Sequence, residues 1–539
     1  MKEESENMKQ LGAMIDCGRN CVYTIKALKQ YIDLLHAMGY NYLQIYTEDA
    51  FEVEGEPHFG YLRGKYGMDE LKELDAYARS KDMELIPCIQ TLAHLMGVTR
   101  WWYYEDIRDT SNILLCGEER TYELIDKMFA ACAKCFTSRR INIGMDEAHM
   151  VGLGQYLDRH GYEDRFDILL RHLQRVCAIA EKYGFKPMMW SDMFFRLANH
   201  GEYRAEKPYA LPQKVYDSVP KNVQLVYWDY YSDKKEVYDT QFEMHKRFPN
   251  ETVFACGAWC WGGFAPHNRW SIGINKTAFL SAQSYGIEDV FVTSWKDDYG
   301  ESSLFSNLPA LYVSAEYFRG NYDMDAIKRG FQQLIGIDFD DYLALDLPDM
   351  LDGVGMNNPS KYSLYSDPFL GFMDCLADEK KTNQFTMAKR AIDRSADNAE
   401  YGYVFRTVSA LCSVLSVKYD LGIRTRRIYK SGDRAAAAEL AKQYALLERR
   451  VKRLYQTFSE QWDRECKLNG FECHDIRFGG LMTRIRHCGR VLSEYAQGKT
   501  DCIPALEEEI LPLCDRFEAG KSVNYNHWHA TALIKYVDN

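Results

Sequence analysis

The run Arg140-Ile-Asn-Ile-Gly-Met closes on two adjacent carboxylates, Asp146 and Glu147. Neighbours in a regular strand point to opposite faces. Two charged neighbours at the end of an apolar strand therefore mark its end, with both side chains turned into the space beyond. Two close carboxylates do not both ionise easily, so one pKa rises, and the raised group can act as a general acid near neutral pH. The plainer alternative is a pair that opens a solvated loop.

Other apolar runs end in the same way. They close on Asp16-Cys17-Gly18-Arg19, Glu48-Asp49, Trp190-Ser191-Asp192, Trp228-Asp229-Tyr230, Trp259-Cys260-Trp261 and Trp295-Lys296-Asp297-Asp298, and His94 follows another. Together they describe a polar pocket with aromatic walls. Sugar hydrolysis needs that combination: carboxylates for acid and charge stabilisation, and Trp rings against the C–H face of a sugar.

The elements that must hold these residues follow from hydrophobic periodicity. Strands are expected at 11–18, 41–49, 84–92, 140–147, 186–193, 223–230, 252–261 and 289–295. Helices are expected at 24–39, 68–81, 121–138, 165–183, 211–218, 234–248, 270–285 and 304–318. Strands alternating with helices of this length make parallel βαβ units, and about eight of them make a (β/α)8 TIM barrel. No Gly-x-Gly-x-x-Gly turn follows the first strand, which argues against a doubly wound sheet. Active sites of such barrels lie at the C-terminal ends of the strands, where all these polar residues fall. Beyond about residue 324 the strand-like runs stop. Helices are expected at 325–334, 379–395, 405–429, 434–468, 476–497 and 503–517. We read residues 1–322 as a catalytic barrel and 323–539 as a mostly α-helical C-terminal domain, packed on the barrel or serving as a homodimer surface.

Composition limits the partners. A net charge of −12 argues against nucleic acid and anionic membranes. No apolar run approaches the ~20 residues of a membrane span, and no apolar stretch follows the charged N-terminus as a secretory signal would require. The 16 cysteines, many inside apolar elements, read as the reduced thiols of a cytoplasmic protein. Cys132-x-x-Cys135 falls inside a predicted helix with no second pair at zinc spacing, so it reads as core. His527 and His529 read as surface residues, and no metal or cofactor is expected.

The segment around the acidic pair resembles the glycoside hydrolase family 20 motif His/Asn-x-Gly-Gly/Ala/Met-Asp-Glu, the family of β-N-acetylhexosaminidases. The similarity continues through the barrel, over about residues 9–320. Asp16-Cys-Gly-Arg19 resembles the family's first-strand Asp-x-x-Arg, which implies that Arg19 binds sugar hydroxyls. His94 is similar to the histidine that orders the carboxylates. Trp190, Trp228 and Trp295 match the aromatic walls of the acetamido pocket. The Trp-Tyr-Leu-Asp-like segment of the family is replaced by Ala258-Trp259-Cys260-Trp261, which leaves Tyr230 as the candidate for the acetamido oxygen. The Trp-x-Glu of the eighth strand becomes Trp295-Lys296-Asp297, so Asp297, or Glu301, would hold O4 or O6. These departures and the helical tail resemble the hexosaminidase D-like branch.

The resemblance implies substrate-assisted retaining hydrolysis of terminal β-linked GlcNAc or GalNAc, with Glu147 as acid/base and Asp146 orienting the 2-acetamido group. Two alternatives stay open. One is a retaining glycosidase with a covalent carboxylate nucleophile, Asp192 or Asp229, roughly 5 Å from the acid. The other is a barrel that binds sugars without cleaving them.

Overall fold

The computed structural model describes residues 8–511. Its contacts divide the chain into two compact units. The first comprises residues up to Ala258 with Ser271–Lys296 and Leu311–Tyr322. The second comprises Trp259–Trp270, Asp297–Ala310 and the described residues from Asp323.

The first unit holds a closed barrel of eight parallel strands in sequential order. They are β1 (Gln10–Asp16), β2 (Tyr42–Tyr46), β3 (Glu84–Cys88), β4 (Arg140–Asn142), β5 (Lys186–Trp190), β6 (Gln224–Trp228), β7 (Thr252–Gly257) and β8 (Asp289–Ser294). All five residues of β2 are buried, as expected for a strand covered on both faces. The main intervening helices are α1 (Ile25–Met38), α2 (Met68–Ser80), α3 (Glu119–Cys135), α4 (Arg165–Lys182), the short α5 (Asp192–Ala198), α6 (Lys235–His245) and α7 (Asn268–Ser284), and α8 (Leu308–Phe318) follows the last strand. Their starts and stops have local causes. Thr24 accepts a hydrogen bond from the Ala27 amide to cap α1, and Gly39 ends it in the left-handed region at φ 90°.

The fourth strand is the main departure from the periodicity. Its ladder stops at Asn142, five residues before the expected end. Gly144 and Met145 both take φ 73°, and Glu147 takes φ 51°, so the chain leaves strand geometry before the acidic pair. A single pair, Cys88 with Asn142, ties this short element to β3, while all three of its residues pair with β5 from Lys186 to Met188. β7 likewise ends at Gly257, ahead of Trp259 and Trp261.

The second unit is helical, with long helices at Gly402–Lys418, Leu421–Ser431, Arg434–Glu465 and Glu472–Ala496. The single helix expected at 405–429 is two, because the chain breaks between Lys418 and Leu421. Inside this unit Glu301, wholly buried, pairs with buried Lys361 at 3.0 Å and accepts a hydrogen bond from the Tyr365 hydroxyl at 2.6 Å. Of the helix expected at 503–517, Pro504–Glu507 is helical, and the part past Leu511 lies outside the described residues, as do His527 and His529. No helix among the described residues is long and apolar enough to cross a membrane.

Gly144 gives a test of the turn that ends β4. A Cβ there would collide with Gln90 Oε1 and approach the Ile89 carbonyl oxygen to 2.9 Å, on a backbone already at φ 73°. Gly144→Ala is expected to destabilise the barrel unit by roughly 2 kcal/mol. Urea unfolding followed by tryptophan fluorescence should show a lower midpoint, and an unchanged midpoint would contradict the strain.

Candidate active site

Asp146 stands at the centre of a buried polar chain. Its Oδ1 accepts a 2.7 Å hydrogen bond from Gln90 Nε2, and its Oδ2 lies 3.2 Å from His94 Nε2. Gln90 is fully buried, and its Oε1 accepts from the Met145 amide at 3.1 Å. Its Nε2 also donates to the Tyr46 hydroxyl at 3.2 Å, which in turn donates to Glu48 Oε1 at 2.9 Å. Arg19 Nη1 approaches the same Glu48 oxygen at 3.7 Å, and Arg19 Nε donates to Asp16 Oδ2 at 3.2 Å. Asp16 Oδ2 also accepts from the Lys296 amide at 3.0 Å. The ends of β1, β2, β3, β4 and β8 are thereby joined through side chains.

Charge compensates burial here. Burial pushes the Asp146 carboxyl up, but the His94 charge and the Gln90 hydrogen bond outweigh it and hold the group below the usual carboxylate range. Burial works against charge on His94 too, yet Asp146 and Glu147 raise it to about 9. Burial dominates at Glu48, which is pushed up to about 7 against the pull of Arg19. Asp192, wholly buried, is also raised to about 7, by burial and by the Asp146 charge.

Glu147 is more open. Its side chain keeps 37% of its surface exposed, with Oε1 3.2 Å from Arg196 Nη2 and Oε2 3.8 Å from His94 Nε2. Arg196 lies one helical turn beyond Asp192 on α5 and donates from Nε to Asp192 Oδ2 at 2.8 Å. The same carboxylate oxygen accepts from the Glu147 amide at 3.1 Å. Asp192 therefore fixes both the backbone of Glu147 and the cation that meets its carboxyl.

Aromatic rings form the walls. Trp295 packs edge-on against Tyr46 at 4.9 Å and lies 5.8 Å from Trp190. The Arg19 guanidinium lies 5.9 Å from the Trp295 ring centre. Trp228 stacks on Tyr230 at 5.3 Å with a 22° interplanar angle. The indole N–H groups of Trp190 and Trp228 are buried and bond to no group among the described residues.

Two family models match the chain. One, "Glycosyl hydrolase family 20, catalytic domain", covers residues 11–246, and the other, "Glycoside Hydrolase 20C C-terminal domain", covers residues 340–524. Together they span more than three quarters of the sequence. The chain belongs to glycoside hydrolase family 20. Human Hexosaminidase D is 25% identical over 218 residues, 39% of this chain and 42% of the relative. The bovine protein of the same name is 27% identical over 218 residues, 38% of this chain and 59% of the relative. The chain thus spans about half the length of these curated relatives. Among solved structures, the family 20 exo-β-N-acetylglucosaminidase of Vibrio harveyi in complex with N-acetylglucosamine aligns over 62% of this chain and 58% of its own. Its identity is 15% and its TM-score 0.48.

The structure of this family 20 chain brings Arg19, His94, Asp146, Glu147, Trp190, Trp228, Tyr230 and Trp295 together within the first unit. Asp297 falls in the second unit, as do Trp259 and Trp261, which stack on each other at 4.4 Å. The pairing of Arg19 with Asp16 coexists with its place beside Glu48 and Trp295. The expectation that the close pair itself supplies a raised carboxyl does not hold for Asp146, because His94 and Gln90 stabilise its charge; the raised neighbours are Glu48 and Asp192. Gln90, Tyr46 and Arg196 join the site without belonging to any of the strand-end motifs. Gln90 was detectable as an amide within the apolar run Cys88-Ile-Gln-Thr-Leu, and Arg196 as the residue four beyond Asp192 on a helix. Cys132 and Cys135 are buried in α3, and burial pushes both thiols up.

The His94–Asp146 pair sets a pH window. The raised pKa of His94 means that its contribution to stability is fully present below its ordinary 6.5 and is lost as pH rises through about 9. The lowered pKa of Asp146 means that its contribution is present above its ordinary 3.8 and is lost as pH falls through the lower folded value. The pair therefore persists across neutral pH. NMR of histidine-labelled protein should show His94 titrating near 9, with its midpoint falling back toward 6.5 or below in Asp146→Asn. A midpoint unmoved by that substitution would contradict the pairing.

Proposed function

We propose that the protein is an exo-acting β-N-acetylhexosaminidase that removes terminal non-reducing β-linked GlcNAc or GalNAc with retention, through the substrate's own acetamido group. The observation that carries this reading is the contrast between two adjacent acids. Asp146 is buried and held ionised beside His94, while Glu147 is half-open and meets Arg196. Membership of family 20 supports the same reading.

In the first step Glu147 gives its proton to the glycosidic oxygen as the C1–O bond breaks, and the aglycone leaves as an alcohol. The acetamido carbonyl oxygen supplies the electron pair that closes on C1. The nitrogen becomes positive in the resulting oxazolinium ion, and the Asp146 carboxylate stabilises it. In the second step Glu147 takes a proton from water as the water oxygen attacks C1. The C1–O bond of the oxazolinium breaks, and the acetamide is restored. Retention follows from two displacements at one carbon, with no enzyme nucleophile. Arg19 would bind ring hydroxyls, and His94 would position Asp146. Trp190, Trp228, Tyr230 and Trp295 would enclose the acetamido group. The two buried indole N–H groups favour a polar ligand in this pocket, since buried donors are rarely left unbonded.

The rival with a covalent nucleophile is less well supported. Asp192 is wholly buried and bonded to Arg196 and the Glu147 amide. Asp229 meets Arg204 at 2.9 Å and accepts from the Tyr231 amide at 2.8 Å and the Ser232 amide at 3.3 Å. The proposal includes a reducing, cytoplasmic setting, which the burial of twelve of the fifteen described cysteines supports.

Nitrophenyl β-GlcNAc, β-GalNAc and β-glucoside separate these readings. Only the acetamido sugars should be hydrolysed. Glu147→Gln and Asp146→Asn should each lower kcat at least about 100-fold, the scale of general acid–base and electrostatic contributions. Comparable hydrolysis of the glucoside, or full activity in Asp146→Asn, would overturn the substrate-assisted mechanism.

A further inference from the structure

The segments that follow β2 and β3 carry an aromatic cluster that the reaction does not use. His58 stacks on Tyr103 at 4.8 Å with a 22° interplanar angle. Trp101 packs edge-on against Tyr61 at 5.5 Å, and Trp102 packs edge-on against His58 at 5.9 Å. Rings in such clusters usually belong to a core, but these do not. Trp102 is 75% exposed and Tyr61 50%, with Leu62, next to Tyr61 in sequence, at 68%. Contiguous exposed apolar surface of this kind marks a binding site more often than chance exposure does.

The cluster is braced from beneath. The Arg120 guanidinium lies 4.8 Å from the Tyr103 ring centre and donates to the Tyr103 carbonyl oxygen at 2.7 Å. The buried Tyr104 hydroxyl donates to Glu56 at 3.0 Å, and Lys127 meets the same carboxylate at 2.6 Å. The rings are thus set before any ligand arrives, which reduces the ordering cost of binding.

One side chain ties the segment of the cluster to the barrel mouth. Arg63, two residues beyond Tyr61, bonds the Gly18 carbonyl oxygen next to Arg19 and pairs with Asp49 at 3.2 Å, next to Glu48. Trp101 and Trp102 belong to the same stretch of chain as His94. Charged groups border the rings: the Arg100 guanidinium lies 5.6 Å from the Trp101 ring centre, and Glu105 is exposed. Flat ring faces with polar groups at their edges suit pyranose rings, whose C–H faces stack while their hydroxyls reach outward.

We infer that this platform binds further sugar rings on the aglycone side of the scissile bond, so that the preferred substrate is an oligosaccharide chain. The inference rests on the hexosaminidase reading above. A protein partner on the same surface would be the competing occupant, and it predicts no dependence on glycan length.

The test uses the full chain with nitrophenyl β-GlcNAc, chitobiose and chitotetraose. The wild type should show a higher kcat/KM on the tetramer than on the dimer. Trp102→Ala and Tyr61→Ala should lower kcat/KM on the tetramer roughly tenfold, mainly through KM, and leave the nitrophenyl glycoside within about twofold. Trp102→Phe should restore most of the loss. Equal kcat/KM on dimer and tetramer, or equal losses on all substrates, would overturn the platform. If the wild type cleaves none of the three, the hexosaminidase reading fails by itself. Calorimetry with chitotetraose then decides the platform: binding weakened by Trp102→Ala supports it, and no binding to the wild type overturns it.

Discussion

The burial of the Asp146 carboxylate, one residue from a second acid, constrains everything around it. An ionised group that keeps only 8% of its surface needs compensation at each oxygen. His94 supplies charge at one oxygen and Gln90 a hydrogen bond at the other. Those two roles restrict further neighbours. The Gln90 amide must present its nitrogen to Asp146 and its oxygen to the Met145 amide, which fixes the turn leading into the pair. The second N–H of that nitrogen then reaches Tyr46, and through it Glu48 and Arg19. A fully connected polar network specifies one geometry, whereas a partly connected one would be worse than an apolar core. The barrel positions its carboxylates by interlocking strand ends rather than by any one loop.

The backbone bears part of the cost. Glu48, His94, Met145 and Glu147 all take positive φ, and they are half of the eight non-glycine residues that do so among those described. Each such residue costs on the order of 1 kcal/mol or more and persists only where its surroundings over-determine it. Here the surroundings are the hydrogen bonds of Gln90 and Asp192 to the Met145 and Glu147 amides. Gly144, also at positive φ, has no room for a side chain against Gln90.

Much of this architecture is legible in the sequence, for physical reasons. Strands buried on both faces read as apolar runs, and helices with one apolar face read at helical spacing, so all eight strands and most helices between them lie near their expected positions; α5 is an exception, starting at Asp192 inside the strand expected at 186–193. Their polar ends marked the site residues by type. What periodicity does not report is where a strand stops bonding. The run through Glu147 looks continuous because Ile143 and Met145 are apolar, yet the ladder ends at Asn142. Nor does it reveal buried amides that bridge strands, which is why Gln90 stayed hidden. The long apolar run 405–429 concealed a helix break near Tyr419 in the same way. A linear reading also assumes contiguous domains, whereas residues 259–270 and 297–310 group with the second unit. Trp259, Trp261 and Asp297 therefore differ from the other site candidates in a way that no local pattern announces.

The two acids illustrate how environment divides labour between like groups. Asp146 and Glu147 are the same chemistry one residue apart, and His94 faces both. The distances differ, 3.2 Å against 3.8 Å, and so does the burial. Asp146 is enclosed with its charge stabilised, as the role proposed for it requires. Glu147 keeps an open face, as the proposed acid/base role requires. Its second neighbour, Arg196, is itself paired to Asp192, so the cation at Glu147 arrives partly neutralised. One buried carboxylate thus restrains the arginine while bonding the Glu147 amide. That shared carboxylate links the backbone of Glu147 to the cation that meets its carboxyl.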